Sequence, residues 1–295
     1  MPSPAHYRSQ EEDSGRWLAF SFRPYDIVIS TRSKSGTTWM QMICALLVFQ
    51  TADLPAPLAL LSPWLDWLTI GQRQVYDQLA AQRHRRFIKT HTPLDGLPIK
   101  PDVSYLVVAR HPLDMAVSLY HQGDNINRER LRQLTDAPPP SAAAPARPPL
   151  RPWLVRWVER DSDPRAELDS LPGVLWHLTD AWHRRREPNV LLVHYDDLLA
   201  DLAGQMRHIA AWLGIDVPAA RWPALVEAAT FAAMSRKAAA LVPDPNGVLK
   251  DHRAFFREGR SGTGRDLLST GEVNRYHQRT AELAPPDLLA WLHRD

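Results

Sequence analysis

The sequence predicts an α/β fold: a single domain over residues 1–295, with a central parallel sheet flanked by helices. Two observations lead there. Four short runs rich in β-branched and apolar residues recur at 26–30, 86–89, 103–109 and 189–194, and helix-like sequence separates each from the next. That alternation builds βαβ units whose helices cover both faces of a parallel sheet. The first run also leads through a loop of small residues into an apolar helix, the order of a phosphate cradle, where backbone N–H groups and the positive end of the helix dipole meet an anion.

Each element follows from its local sequence. The strand at 26–30 (Asp-Ile-Val-Ile-Ser) is followed by Ser33-Lys34-Ser35-Gly36-Thr37-Thr38-Trp39 and then by a helical run over 40–49. After the second strand comes Thr90-His91-Thr92-Pro93, and after the third Arg110-His111-Pro112, with a helix beginning at Asp114-Met115-Ala116. A Pro/Ala-rich insertion at about 135–152 cannot sustain a helix or a central strand; it reads as a solvated surface segment, with a lid over the site as the functional alternative. Tyr195-Asp196-Asp197 follows the fourth strand, and one helix is predicted over 198–213, ended by Gly214.

Composition bounds the function. Lys and Arg number 35 against 33 Asp and Glu, a net charge of +2, so no overall field invites nucleic acid or a membrane surface. The one cysteine, Cys44, lies in an apolar helical run and forms no internal disulfide, which fits a reducing compartment. Residues 1–12 are polar and acidic where a signal peptide is basic and then apolar. No stretch approaches the roughly 18 to 20 apolar residues of a membrane span. Together these predict a cytoplasmic enzyme.

In an open parallel sheet, ligands bind beyond the carboxyl ends of the strands. The polar groups that follow the four predicted strands therefore converge on one edge. The loop at Lys34 has its lysine before the only glycine, whereas a Walker A loop places lysine after the second glycine, so the cradle is P-loop-like without being a nucleoside triphosphate P-loop.

The run Lys34-Ser35-Gly36-Thr37-Thr38-Trp39 resembles the 5′-phosphosulfate loop of the cytosolic sulfotransferase family, whose donor is 3′-phosphoadenosine 5′-phosphosulfate (PAPS). Other segments extend the resemblance from about Tyr25 to Gly262. Lys89-Thr90-His91-Thr92-Pro93 resembles the segment that carries the family's catalytic base, which implies that role for His91; histidine is also the residue whose pKa suits proton removal near neutrality. The segment 109–118 resembles the 3′-phosphate site and implies Arg110 and Ser118 as its ligands, the arginine through its planar fork.

Tyr195-Asp196-Asp197 resembles the family's Tyr-Glu-Asp and implies an adenine contact for Tyr195, while Thr230-Phe231-Ala232-Ala233-Met234 implies Phe231 and Met234 beside the same ring. Arg257, Gly259 and Gly262 match a C-terminal loop that closes over the 3′-phosphate. Glu258 replaces a lysine there, and Thr263-Gly264-Arg265 stands where Asp-Trp-Lys is common.

The resemblance implies sulfuryl transfer from PAPS to a hydroxyl of a small, apolar or aromatic acceptor. His91 takes the proton, Lys34 and the amides of 35–38 stabilise the leaving phosphate, Lys89 assists on the transferring group, and no metal is required. An ATP-dependent small-molecule kinase and a non-catalytic nucleotide-binding relative are the competing readings. The tryptophans of Pro63-Trp64-Leu65-Asp66-Trp67-Leu68, those at 153 and 157, and His177 are expected on the acceptor side. The family's short C-terminal dimerisation motif is not found, so the sequence assigns no oligomeric state.

Overall fold

The computed structural model describes residues 3–138, 146–242, 244 and 246–294. Its sheet consists of β1 (Ile27–Thr31), β2 (Phe87–Thr90), β3 (Ser104–Ala109) and β4 (Val190–His194), all parallel, in the order β2-β1-β3-β4. The predicted α/β class and parallel sheet are observed, with strand boundaries displaced by about one residue. Because β2 lies on one side of β1 and β3 on the other, the loops leaving β1 and β3 diverge. That divergence opens a crevice at the carboxyl edge.

Side chains alternate across the strands and give the sheet two apolar faces. Val28, Tyr105 and Val107 face one core with Leu113, Val117 and Leu175; Ile27, Ile29, Leu106 and Val108 face the other. The helix α1 (Thr37–Phe49) fills this second core, with every residue from Thr37 to Leu47 buried, Cys44 among them. Such full burial requires a helix apolar nearly all round, and its buried Gln41 donates to the Ser62 carbonyl at 3.0 Å.

Ahead of the strands, the buried Arg86 guanidinium forms a paired salt bridge with the Asp26 carboxylate, joining the entries to β1 and β2. The N-terminal stretch wraps the opposite edge as a belt. Ala5 N donates to the Asp95 carbonyl at 2.8 Å, Asp13 N to Asp66 O at 2.9 Å, and Leu68 N to Glu11 O at 2.7 Å. Beneath the belt, the buried Asp66 carboxylate accepts from Trp17 Nε1 at 3.1 Å, Thr92 Oγ1 at 2.6 Å and the Thr90 hydroxyl. Two of these donors flank His91.

Three local predictions are corrected. The helix expected over 198–213 is two, Tyr195–Ala200 and Leu202–Trp212, because Asp201 leaves helical geometry and its carboxylate accepts from Gly204 N at 2.8 Å as an N-cap. The helix after β3 starts earlier than Asp114, at Pro112, and runs to Asn125, with His111 as its N-cap and proline at the first position, where its missing N–H costs nothing. The end of the Pro/Ala-rich insertion already belongs to the helix Leu150–Glu159. Arg147 just before it lies over the Tyr120 ring at 3.8 Å and pairs with Asp124, and the lid reading falls on 139–145, outside the described residues.

Candidate active site

The carboxyl edge of the sheet opens into a cavity of about 310 Å³, lined from the loops after β1, β2 and β3 and from the C-terminal third of the chain. The cradle comes first. Lys34 (φ 64°) and Gly36 (φ 107°) both adopt left-handed backbone, which turns the chain sharply enough to aim the first amides of α1 into the crevice. A Cβ on Gly36 would stand 3.0 Å from the Tyr195 ring, so both space and conformation require glycine. Gly36, Thr37, Thr38 and Trp39 line the cavity, whereas Ser35 is buried behind them.

Two lysines face this space, and among the described residues neither has a carboxylate in salt-bridge range. Lys34 Nζ sits 3.8 Å over the Phe255 ring and 3.4 Å from Gln122 Oε1; Lys89 Nζ sits 3.6 Å over the Trp64 ring. Desolvation brings both down to about 7, reinforced for Lys34 by Arg110, Lys89 and Arg257, and opposed for Lys89 by Glu12 and Asp66.

His91 follows β2 directly, with its ring 4.6 Å from that of Trp64. Its Nδ1 bonds to the Thr31 carbonyl. A carbonyl only accepts, so Nδ1 carries the hydrogen and Nε2 is left with a free lone pair. Burial, followed by the charges of Lys89 and Arg32, holds His91 well below the ordinary histidine value, and it stays neutral.

At the far end, Arg110 lies 4.4 Å over the Tyr195 ring and donates from Nη2 to the Arg260 carbonyl at 2.8 Å, while its Nε is buried with no partner among the described residues. Such an orphaned donor in a cavity wall is a ready site for an anionic oxygen. Ser118 lines the same region from the helix Pro112–Asn125. Trp39 and Tyr195 pack edge to face at 5.2 Å, and with Phe231 and Met234 they line an apolar slot of the cavity.

The loop over this slot is tied from beneath: the Asp114 carboxylate accepts from Gly262 N and Gly264 N, each at 2.8 Å, and Ser261 donates to Asp196. Gly259 (φ 62°) lies so close to Phe231 that a Cβ would come within 2.4 Å of its ring. Glu258 pairs with Arg257 and, at 2.6 Å, with Arg260.

A sulfotransferase domain model matches residues 24–284. The chain belongs to the sulfotransferase family. A glycolipid sulfotransferase of Mycobacterium bovis BCG is 42% identical, over 97% of this chain and 93% of its own length, and dog sulfotransferase 1A1 is 26% identical over 87% and 82%. Among solved structures, mouse sulfotransferase SULT7A1 complexed with PAP superposes with a TM-score of 0.69 at 22% identity, over 95% of this chain and 92% of that one. Retinol dehydratase with retinol and PAP gives 0.67 at 21%, over 91% and 84%. This sulfotransferase is an enzyme whose co-substrate is PAPS. Neither a kinase nor a non-catalytic binder describes it.

The structure of the sulfotransferase brings Lys34, Gly36, Thr37, Thr38, Trp39, Lys89, His91, Arg110, Ser118, Tyr195, Phe231, Met234, Arg257 and Gly259 to one cavity. Trp64 and Trp67 line it as well, their rings tilted by 36° with centroids 3.7 Å apart. The other acceptor-side expectations are corrected. His177 is fully buried, its Nε2 2.8 Å from Ser30 Oγ; Trp157 is in the core with Nε1 on the Asp169 carbonyl; and Trp153 packs on Tyr120. An apolar helical face explains all three. Sequence reasoning missed Glu12, Gln122, Asp169 and Phe255 in the cavity wall, and Asp114 as the tether of the C-terminal loop. Only Asp114, an acidic residue in a first helical turn, had a local signal.

Proposed function

We propose that this sulfotransferase sulfates a hydroxyl of an amphipathic acceptor of the glycolipid kind, with His91 as general base. The observation that carries the reading is the meeting of Lys34, Lys89 and the free Nε2 face of His91 on a cavity whose outer part joins an apolar and an acidic wall. Trp64, Trp67, Ile70 and Leu249 offer an aliphatic chain or sugar face an apolar surface, and Glu11, Glu12 and Asp169 offer hydroxyls their acceptors. The identity to a relative named for glycolipid sulfation supports the same class. Among the described residues no helix is long and apolar enough to cross a membrane; the buried, unpaired Cys44 supports a cytoplasmic setting.

PAPS, when bound, supplies the sulfuryl group and departs as PAP. The cradle amides of 36–38 and Lys34 hold the 5′-phosphate side and neutralise charge growing there. Arg110 and Ser118, with Arg257 above them, hold the 3′-phosphate, and Tyr195, Trp39, Phe231 and Met234 enclose the base. Lys89 assists on the sulfuryl oxygens. His91 receives the acceptor proton at Nε2 while Thr31 fixes its tautomer.

The test is transfer from sulfur-labelled PAPS to octyl glucoside and to 2-naphthol. Label on octyl glucoside supports the class; label on 2-naphthol alone refutes the sugar-bearing acceptor. The loop also makes a prediction: because Glu258 occupies both Arg257 and Arg260, Glu258→Gln is expected to tighten PAP binding by up to about fivefold, within the range of an exposed ion pair. Calorimetric titration checks this, and equal affinity would mean that the pair does not compete with the nucleotide.

A further inference from the structure

We propose that Arg32 is a positioning residue that fixes the base from behind and joins it to both the donor cradle and the acceptor wall. Its side chain is 3% exposed, an unusual setting for a guanidinium, and its two arms reach different chain segments. Nη1 donates to the backbone carbonyl of His91, and Nη2 donates to Asp169 Oδ1 at 2.6 Å. Thr31, the residue before it, holds the His91 imidazole through Nδ1. His91 is therefore gripped at its ring and at its peptide by two consecutive residues at the end of β1.

Asp169 completes the connection. It lines the acceptor side of the cavity, directly before Ser170, which caps the helix Leu171–His183. Its carbonyl is in turn held by Trp157 Nε1 at 2.9 Å. One buried cation thus spans the start of the cradle, the base and the acceptor wall. Lysine is a poor substitute, because a single ammonium does not reproduce a planar fork with separate donors aimed at separate acceptors.

The energetic reason for such a part is geometric. A base acts only within hydrogen-bond reach of the proton it abstracts, and misplacement by about 1 Å costs on the order of a hundredfold. Without Arg32 the His91 peptide loses its donor, and the ring keeps its Thr31 hydrogen bond and its packing on Trp64. The charged and titratable groups facing His91 are Arg32 itself, Lys89 on β2 and His177 on the helix Leu171–His183. Removing the Arg32 charge relieves one of the cations that keep the imidazole neutral.

The inference rests on His91 being the base, and the experiment separates the two. Arg32→Lys, Arg32→Met, Asp169→Asn and the double variant Arg32→Lys with Asp169→Asn are compared with His91→Ala, using PAPS and the better of octyl glucoside and 2-naphthol as acceptor. Arg32→Lys is expected to lower kcat about tenfold or more while PAP affinity stays within about twofold, and the double variant to lose less kcat than the product of the two single losses, as coupled residues do. In Arg32→Met the acidic limb of the kcat profile moves to higher pH, because a cation that disfavours the imidazolium is gone. Unchanged kcat in Arg32→Lys, or a loss that only follows weakened PAP binding, overturns the positioning role. Retained turnover in His91→Ala overturns the base assignment itself.

Discussion

Replacing His91 by alanine is expected to leave PAP affinity within about twofold of the parent enzyme and to lower kcat by roughly 10²–10⁴-fold, the usual contribution of a positioned general base. The separation of binding from turnover follows from position. His91 stands at the end of β2 against Trp64, and in the proposed mechanism it faces the acceptor while Arg110, Tyr195 and the α1 amides meet the donor. The pH dependence has a fixed sign. With the histidine value held well below normal, His91 is neutral throughout the physiological range, so kcat should lose activity only on strong acidification. An acidic limb near the ordinary histidine pKa of about 6.5 would contradict that environment.

Lys34→Ala is expected to lower kcat by about 10²–10³-fold, the range for removing one preorganised donor from a developing anion. Its titration gives a second readout. In the free enzyme Lys34 sits at about 7, so near pH 8 it is largely uncharged. Nucleotide phosphates favour the ammonium, so binding raises that value and takes up a proton. Affinity should therefore be fully present below pH 7 and fall as pH rises above it, by up to about tenfold per unit for one lysine until the bound-state value is reached. Calorimetry at pH 8 in buffers of different ionisation enthalpy measures the uptake. Lys34→Ala should reduce it, leaving the part due to Lys89; equal uptake in both proteins would locate the titration elsewhere.

The strands and the loops that follow them were legible because their signals are local: apolar runs of strand length, a lysine before a glycine, a histidine and an arginine one residue past a strand. Four such signals at four strand ends predict convergence because the parallel sheet supplies the geometry. The break at Asp201 was legible in principle as an N-cap with Gly204 three residues on, but the apolar periodicity on both sides obscured it. The Arg32–Asp169 link joins residues 137 positions apart, and no spacing rule connects them. His177 shows the converse. A histidine on an apolar helix suggests chemistry in one dimension, yet the fold buries it against Ser30.

The N-terminal belt has a consequence for how such an enzyme diversifies. Its backbone is stitched to the loops around Asp66 and Asp95, and it sets Glu11 and Glu12 into the acceptor wall. The groups proposed to meet the nucleotide all come from residue 34 onward. Selectivity for the molecule being sulfated can therefore drift through changes in the first dozen residues while the donor machinery stays fixed. A library randomised only there would be expected to exchange one acceptor for another at constant affinity for PAP.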